Sequence, residues 1–441
     1  MSLRFGTDGV RAEALTELTT EFVERLGAAA AEVVGRGPWL IGRDTRESGL
    51  ALEDALWRGL CLRGGGDALS TGVLPTPALA WLAAESGRPA AMITASHNPW
   101  SDNGVKVFAP GGRKLSDEVE REIERALAQQ ALRDSATPPP GVADRSSLPN
   151  AGDDYVRHLV GLTGRLDGLS VVLDCANGAM SAVAPAAFRA LGADVRTIHD
   201  EPDGRNINDH CGATDVASLS ASVVAAGADI GLAFDGDGDR VIAIDHLGRT
   251  VDGDRMIALA ALQLQEESRL HHGTVVVTVM SNLGFHKAMT AAGIAVETTA
   301  VGDRYVLEAL DAGGFSVGGE QSGHIIYRDL ATTGDGLLAG LRLAEYVHNH
   351  HRSLAELAAE VMSSYPQVLV NVKVAERHPH VAADLAAEIA AAEARLVGDG
   401  RILVRASGTE PLVRVMVEAA TDSLAHAVAD DLAAAVRSRF A

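Results

Sequence analysis

Hydrophobic and polar positions recur along the chain in one order, three times. The apolar run "WLIG" (39–42) leads into a polar loop, a helical stretch from about Gly49 to Arg63, and then "GGGDALS". "VVLD" (171–174) is followed by "CANGAMS", a helical stretch and "LGADVRT", and "VVVTVM" (275–280) by "SNLGF", a helical stretch and "AAGIAVET". Strand, polar loop, helix, glycine, strand is the pattern of a βαβ unit, because parallel neighbours need a crossover of that length. Three copies predict three related α/β domains with mixed, largely parallel sheets. After "SSYPQ" (363–367) the order changes to "QVLVNVKV", a helix, "GRILVRASGTEPLVRVMVEA" and a last helix, which predicts a small α+β domain. Chain breakers mark the borders. "SATPPPG" (135–141) follows the charged helix "LSDEVEREIERALAQQALR", and "HLGRTVDGDR" (246–255) follows the strand "VIAID". The expected domains are 1–140, 150–252, 253–364 and 366–441.

Composition narrows the class of partner. The 441 residues are 47% hydrophobic, ample for folded cores. The formal net charge of −21 disfavours nucleic acid and anionic membranes. An anionic substrate would need local positive pockets. Cys61, Cys175 and Cys211 form no CxxC pair and read as reduced thiols of a cytoplasmic protein. Arg4, Asp8 and Arg11 interrupt any signal-like run, and no stretch of about 20 apolar residues is present to span a bilayer. The Ala-rich segment 385–397 is broken by glutamates and reads as a surface helix.

Candidate chemistry gathers at turns. In "TASHNPWSDNGVKV", Ser96 follows the apolar run "PAAMI". Pro99 and Asn103-Gly104 force a tight loop there, suited to chemistry or to an ordinary turn. "DGDGDR" (235–240) follows the buried run "DIGLAF". Asp235, Asp237 and Asp239, at alternate positions, point to one side of an extended segment, and like charges so crowded call for a cation. All-oxygen ligands suit Mg²⁺. An EF-hand is excluded, since Arg240 and His246 stand where that loop needs glycine and glutamate. Three carboxylates leave coordination positions for a phosphate oxygen, which a phosphorylated Ser96 would supply. Lys106, close in sequence, could neutralise charge or move a proton.

"RASGTEPLVR" (405–414) has the chemistry of a phosphate cradle. Ser407, Gly408 and Thr409 offer hydroxyls and successive backbone donors, flanked by Arg405 and Arg414. "GGEQSGH" (318–324) surrounds Glu320, Gln321, Ser322 and His324 with glycines, as a sugar-binding loop would. "FGTDGVR" (5–11) could bring Arg11 to a transferring phosphate. Walker A, HExxH and GxSxG motifs are absent from the sequence.

The order "TASHNP", "DGDGDR", "GEQSGH", "RASGTEP" resembles the α-D-phosphohexomutase superfamily over essentially the whole chain. The resemblance implies a four-domain, heart-shaped fold around a central cleft. Ser96 would be the phosphoserine that donates and re-accepts phosphate. Mg²⁺ would be held by Asp235, Asp237, Asp239 and the Ser96 phosphate. Arg11, His97, Lys106 and Arg240 would line the transfer site, with His324 near the reacting end. Glu320, Gln321 and Ser322 would bind the sugar, and Arg405, Ser407, Gly408, Thr409 and Arg414 the phosphate that is not reacting. "FGTDGVR" near the N-terminus, Gln321 and "VGDRYVLEAL" (301–310) point within the superfamily to glucosamine phosphates. Glucosamine 6-phosphate and 1-phosphate would interconvert through glucosamine 1,6-bisphosphate, with glucose 1,6-bisphosphate as an alternative activator. The product would feed UDP-N-acetylglucosamine and cell-wall synthesis. Relatives acting on mannose or glucose phosphates more often carry methionine where Gln321 stands. Ala12 departs from the glycine usual after the FGTDGVR arginine.

The same chemistry on mannose or glucose phosphates is the nearest alternative. A phosphatase using Ser96 would have little use for a remote phosphate cradle, and a non-catalytic sensor would not need Ser96 and all three aspartates. The expected partner is a phosphosugar, with homodimerisation left open.

Overall fold

The structure is a computed structural model, and it describes residues 3–6, 8–63, 67–130, 146–407 and 411–440. Its first sheet contains β1 (Val10–Glu13), β2 (Trp39–Arg43), β3 (Ala68–Val73), β4 (Ala90–Ile93) and β5 (Asp102–Phe108), in the order β1-β5-β4-β2-β3. β2 runs parallel to β3 and β4, while β5 is antiparallel to β4 and β1. The second sheet has β6 (Ser170–Asp174), β7 (Asp194–Ile198), β8 (Ile230–Phe234), β9 (Val241–Asp245) and β10 (Thr250–Val251), ordered β10-β9-β8-β6-β7. Its β6–β7 and β6–β8 pairs are parallel and its β8–β9 and β9–β10 pairs antiparallel. The third has β11 (Thr274–Thr278), β12 (Ala295–Thr299), β13 (Val317–Gly319) and β14 (Ile325–Tyr327), ordered β12-β11-β13-β14, with only the β13–β14 pair antiparallel.

The threefold sequence pattern is therefore a threefold topology. In each sheet a central strand pairs in parallel with the strand after it and with the one after that. The chain then turns back to add an antiparallel strand. Residues of β4, β8, β9, β11, β13 and β14 are buried throughout, as continuous apolar runs covered on both faces should be. The outer strands β7 and β12 alternate with exposed positions. The sheets are mixed, as expected, because the β4–β5, β8–β9 and β13–β14 connections are short reversals with no crossover helix.

The last sheet is wholly antiparallel: β15 (Gln367–Lys373), β16 (Gly400–Ala406) and β17 (Leu412–Ala419), ordered β15-β17-β16. Its core includes Val372, Val415, Val417, Leu432 and Val436. The Ala-rich helix Ala386–Arg395 buries only Ala392, in keeping with a surface helix. The expected linker 135–141 lies outside the described residues.

The chain divides into two compact units, Met1–Met280 with Ile294–Ala359, and Ser281–Gly293 with Glu360–Ala441. The helix Leu283–Ala291 belongs to the second. Asn282 Nδ2 donates to Tyr365 O at 3.0 Å, Leu283 N to Glu418 Oε2 at 3.0 Å, and Arg401 Nη2 to Ser281 O at 2.7 Å.

Candidate active site

The three sheets of the first unit present the β4–β5, β8–β9 and β13–β14 connections as three functional loops. Ser96 lies between β4 and β5, the aspartates between β8 and β9, and Glu320 to His324 between β13 and β14. Ser96 is buried, with a left-handed φ of 53°. Such a conformation is uncommon for serine and persists only when its surroundings impose it. Thr94 Oγ1 accepts from Ser96 N at 2.9 Å and donates to Asp44 Oδ2 at 2.7 Å. Arg46 supplies most of the remaining constraint. Its fully buried guanidinium pairs with Asp44 at 2.9 Å and donates to the carbonyls of Ser96, Asn98 and Asp102 at 3.0, 2.8 and 2.9 Å, and also to that of Pro99.

The aspartates converge through a turn rather than along an extended segment, correcting the sequence expectation. Gly238, at φ 73°, donates to Asp235 O at 3.0 Å and folds the loop back. Gly236 is required by close approach, since a Cβ there would lie 2.7 Å from Ser96 O. Ser96 Oγ donates to Asp235 Oδ2 at 2.6 Å. Carboxylate oxygens of Asp235, Asp237 and Asp239 all lie within 4.8 Å of one another. Burial, with Asp239 and Asp237 beside it, pushes Asp235 up to about 8. Asp237 Oδ1 and Asp239 Oδ1 are buried and accept no hydrogen bond. A buried, all-oxygen set with unused acceptors fits a hard divalent cation, which would replace the proton on Asp235.

Lys106, on β5, reaches the same cluster. Its Nζ lies 2.8 Å from Asp237, 2.9 Å from Asp239 and 2.8 Å from Asp8. Burial disfavours its charge, but these carboxylates outweigh burial and hold the ammonium well above its usual range. Thr76 Oγ1 donates to Asp237 Oδ2 at 2.6 Å and fixes the middle aspartate.

A cleft of about 370 Å³ opens beside this cluster, lined among others by Arg11, His97, Asp239, Arg240, Glu320 and His324. His97 Nδ1 is 3.4 Å from Ser96 Oγ. Burial, then Arg240 and Arg11, push its imidazole down to about 4, so it is neutral at pH 7. His324 is buried, with Nδ1 3.7 Å from Asp239 and Nε2 accepting from Gly334 N at 3.1 Å. Burial opposes its charge, yet Asp239 and Asp303 leave it more basic than usual. Arg11 pairs with Asp8. Gly302 N donates to Glu320 Oε1 at 3.2 Å.

Ser96, Arg11, His97, Lys106, Asp235, Asp237, Asp239, Arg240, Glu320 and His324 are thus brought together. Gln321 and Ser322 sit on the Glu320 loop, Gln321 half-buried and Ser322 exposed, outside the cleft lining. In the second unit Arg405 and Arg414 face one another in register across β16 and β17. Ser407 N donates to Leu412 O at 2.9 Å across the strand ends. Burial and then Arg414 lower the Arg405 pKa, and Arg414 Nε is buried without a hydrogen-bond partner. Gly408 and Thr409 lie outside the described residues. Sequence reasoning missed Asp8, Arg46 and Thr76. Asp8 stood in plain view inside "FGTDGVR", whereas Arg46 and Thr76 carry no local signal.

Four profiles of one family, described as phosphoglucomutase/phosphomannomutase, match the chain in order. They are α/β/α domain I at 2–134, α/β/α domain II at 153–248, α/β/α domain III at 252–365 and the C-terminal domain at 369–435. A phosphoglucosamine mutase of Rhodococcus opacus is 51% identical, covering 99% of this chain and 100% of its own. One of Thermobifida fusca is 51% identical, covering 100% and 99%. The crystal structure of a putative phosphomannomutase from Thermus thermophilus superimposes with a TM-score of 0.81 at 24% identity, covering 99% of each chain.

Proposed function

The chain belongs to the phosphoglucomutase/phosphomannomutase family of α-D-phosphohexomutases, which are isomerases, and from this premise we propose that it interconverts glucosamine 6-phosphate and glucosamine 1-phosphate. The observation that carries the mechanism is Ser96 Oγ 2.6 Å from Asp235, next in sequence to a cleft wall that includes His97, Asp239, Arg11 and Arg240. In this reading Ser96 carries the phosphoryl group and exchanges it with a sugar hydroxyl. Asp235, Asp237, Asp239 and the serine phosphate hold a divalent cation, Mg²⁺ in this proposal. When bound, the ion stabilises charge on the transferring phosphoryl group.

The chain's own groups do the rest. Arg46 holds the serine loop rigid, so that Oγ keeps its position through both transfers. Arg11 and Arg240 face the cleft and balance phosphate charge. In this reading Lys106 neutralises charge at the aspartates, and the neutral His97, 3.4 Å from Ser96 Oγ, moves the hydroxyl proton. His324, fixed by Gly334 and Asp239, is a second candidate for that role. Glu320, with Gln321 and Ser322, contacts the sugar. Arg405, Ser407, Gly408, Thr409 and Arg414 receive the distal phosphate. Two transfers through glucosamine 1,6-bisphosphate, with glucose 1,6-bisphosphate as an alternative activator, complete the cycle. The division at 1–140, 150–252, 253–364 and 366–441, residence in the cytoplasm and a homodimer belong to the same proposal.

Phosphorus NMR of the protein with Mg²⁺ and a trace of sugar bisphosphate tests the reading on glucosamine, glucose and mannose 6-phosphates separately. Fast appearance of the 1-phosphate with the amino sugar is expected. Faster turnover of glucose or mannose phosphate would keep the mechanism and overturn the substrate. Release of inorganic phosphate alone would overturn the mutase.

A further inference from the structure

A second cluster of metal-ligating side chains lies in the second sheet, outside the cleft. Asp174 ends β6, His199 follows β7, and Cys211 precedes the short turn Gly212–Thr214. One oxygen, one nitrogen and the sulfur of the three residues all lie within 4.8 Å of one another. We propose that Asp174, His199 and Cys211 form a binding site for a thiophilic divalent cation of the zinc class, distinct in chemistry from the aspartate cluster. The proposal does not depend on the mutase reading.

The geometry is that of a held site. Asp174 is fully buried, and its two oxygens accept from Ala176 N at 2.9 Å and Gly212 N at 3.0 Å. Those bonds fix the carboxylate and leave each oxygen a further lone pair. His199 Nδ1 is buried and lies 3.2 Å from Asp174 Oδ1, so both atoms face one point. An imidazole nitrogen so placed can be offered to a cation that the carboxylate also meets. Cys211 is fully buried, whereas His199 is partly exposed and leaves a way in for an ion. His199 has a φ of 48°, so its ring is presented from a left-handed backbone that Asn177 N secures by donating to His199 O at 2.6 Å.

The donor set selects the ion. Sulfur, nitrogen and oxygen together suit Zn²⁺ or Co²⁺ and disfavour Mg²⁺, which prefers oxygen alone. Three protein ligands leave the fourth tetrahedral position to water. A cysteine thiol keeps its proton at neutral pH until a metal displaces it. Binding then forms a metal–sulfur bond, breaks the S–H bond and releases one proton to solvent. The loop from His199 to Cys211 also carries Asn208, whose Nδ2 donates to Ser96 O at 2.8 Å and Asn98 O at 3.0 Å. An ion would clamp both ends of that loop and so stiffen the support of the serine.

The test is a Co²⁺ titration of the full chain in excess Mg²⁺, read as thiolate-to-cobalt charge-transfer absorption in the near ultraviolet. A carboxylate-only site cannot give that band. The expected result is saturation at one equivalent, bleaching by Zn²⁺, and release of about one proton per ion. Cys211→Ser should abolish the band, and His199→Ala should weaken binding about 10-fold or more. Cys61→Ser, Cys175→Ser and Asp237→Asn should keep it. Thermal melts without metal separate lost binding from lost folding, and His199, being partly exposed, is the variant expected to fold in any case. Absence of the band in the parent protein, or its survival in Cys211→Ser, would overturn the proposal.

Discussion

The cleft of the first unit and the arginine pair of the second handle charge in opposite ways. Beside the cleft, the buried charges around the serine and aspartate loops are paired with charges of the other sign. Lys106 sits among Asp8, Asp237 and Asp239, and Arg46 is enclosed by Asp44 and four carbonyls. In the second unit two cations, Arg405 and Arg414, face each other across one strand pair. Balanced, buried charge holds geometry fixed before substrate arrives, which chemistry requires. Two like charges held side by side favour an anion that meets both, which suits recognition. The first arrangement should therefore govern turnover, and the second affinity.

Ser96→Ala gives the largest expected effect. Loss of the acceptor should lower turnover about 10⁴-fold or more, while calorimetry still detects sugar phosphate binding. Near-parental turnover would break the assignment of chemistry to the cleft. Next comes Arg46→Ala. It strands the buried Asp44 and the carbonyls of the serine loop, and should cost about 3–5 kcal/mol in denaturant unfolding. Arg46→Lys should recover little of this, because a single ammonium cannot span that fan of acceptors. Equal stability of both variants and parent would mean that the loop holds itself.

Arg414→Ala sharpens the contrast from the other side. Loss of a charge-assisted contact of about 1.5–3 kcal/mol should raise KM about 10- to 100-fold and leave the metal titration unchanged. A shift in metal affinity instead would dissolve the distinction between the two regions.

The smallest effect concerns a carboxylate in the first unit that lacks a cation. Asp335 caps the helix Gly336–His350, accepting from Leu338 N at 2.9 Å and from Tyr155 Oη at 2.8 Å. Burial pushes it up from 3.8 to about 6. Between those values the native state binds more protons than the unfolded chain. The contribution of Asp335 to stability is therefore full below about 4 and is lost as pH rises through about 6. The slope should be on the order of 1 kcal/mol per pH unit. Asp335→Asn keeps the cap and should flatten that part of the profile in urea melts at pH 4.5 to 6.5. An unchanged slope would show that Asp335 is not the group responsible.

Much of this was legible before any coordinates. The βαβ repeats followed from apolar runs, polar loops and glycines at fixed order, since strand and helix periods are local properties of the chain. The functional loops announced themselves through residues that regular structure disfavours, as in "TASHNP" and "DGDGDR". What stayed hidden was where the chain reverses to add an antiparallel strand after β4, β8 and β13, and the turn that gathers the aspartates. Both depend on which strands pair, and pairing is long-range.

The sequence by itself determined the order of elements, the identity of the reactive side chains and the excess of negative charge that isolates its few cationic loops. Only the tertiary structure decided that Asp8, Arg46 and Thr76 support those side chains, and that Asp174, His199 and Cys211 meet. The physical reason is the same in each case. A hydrogen bond or a ligand cluster depends on ångström distances between residues far apart in the chain, and no local pattern encodes that distance.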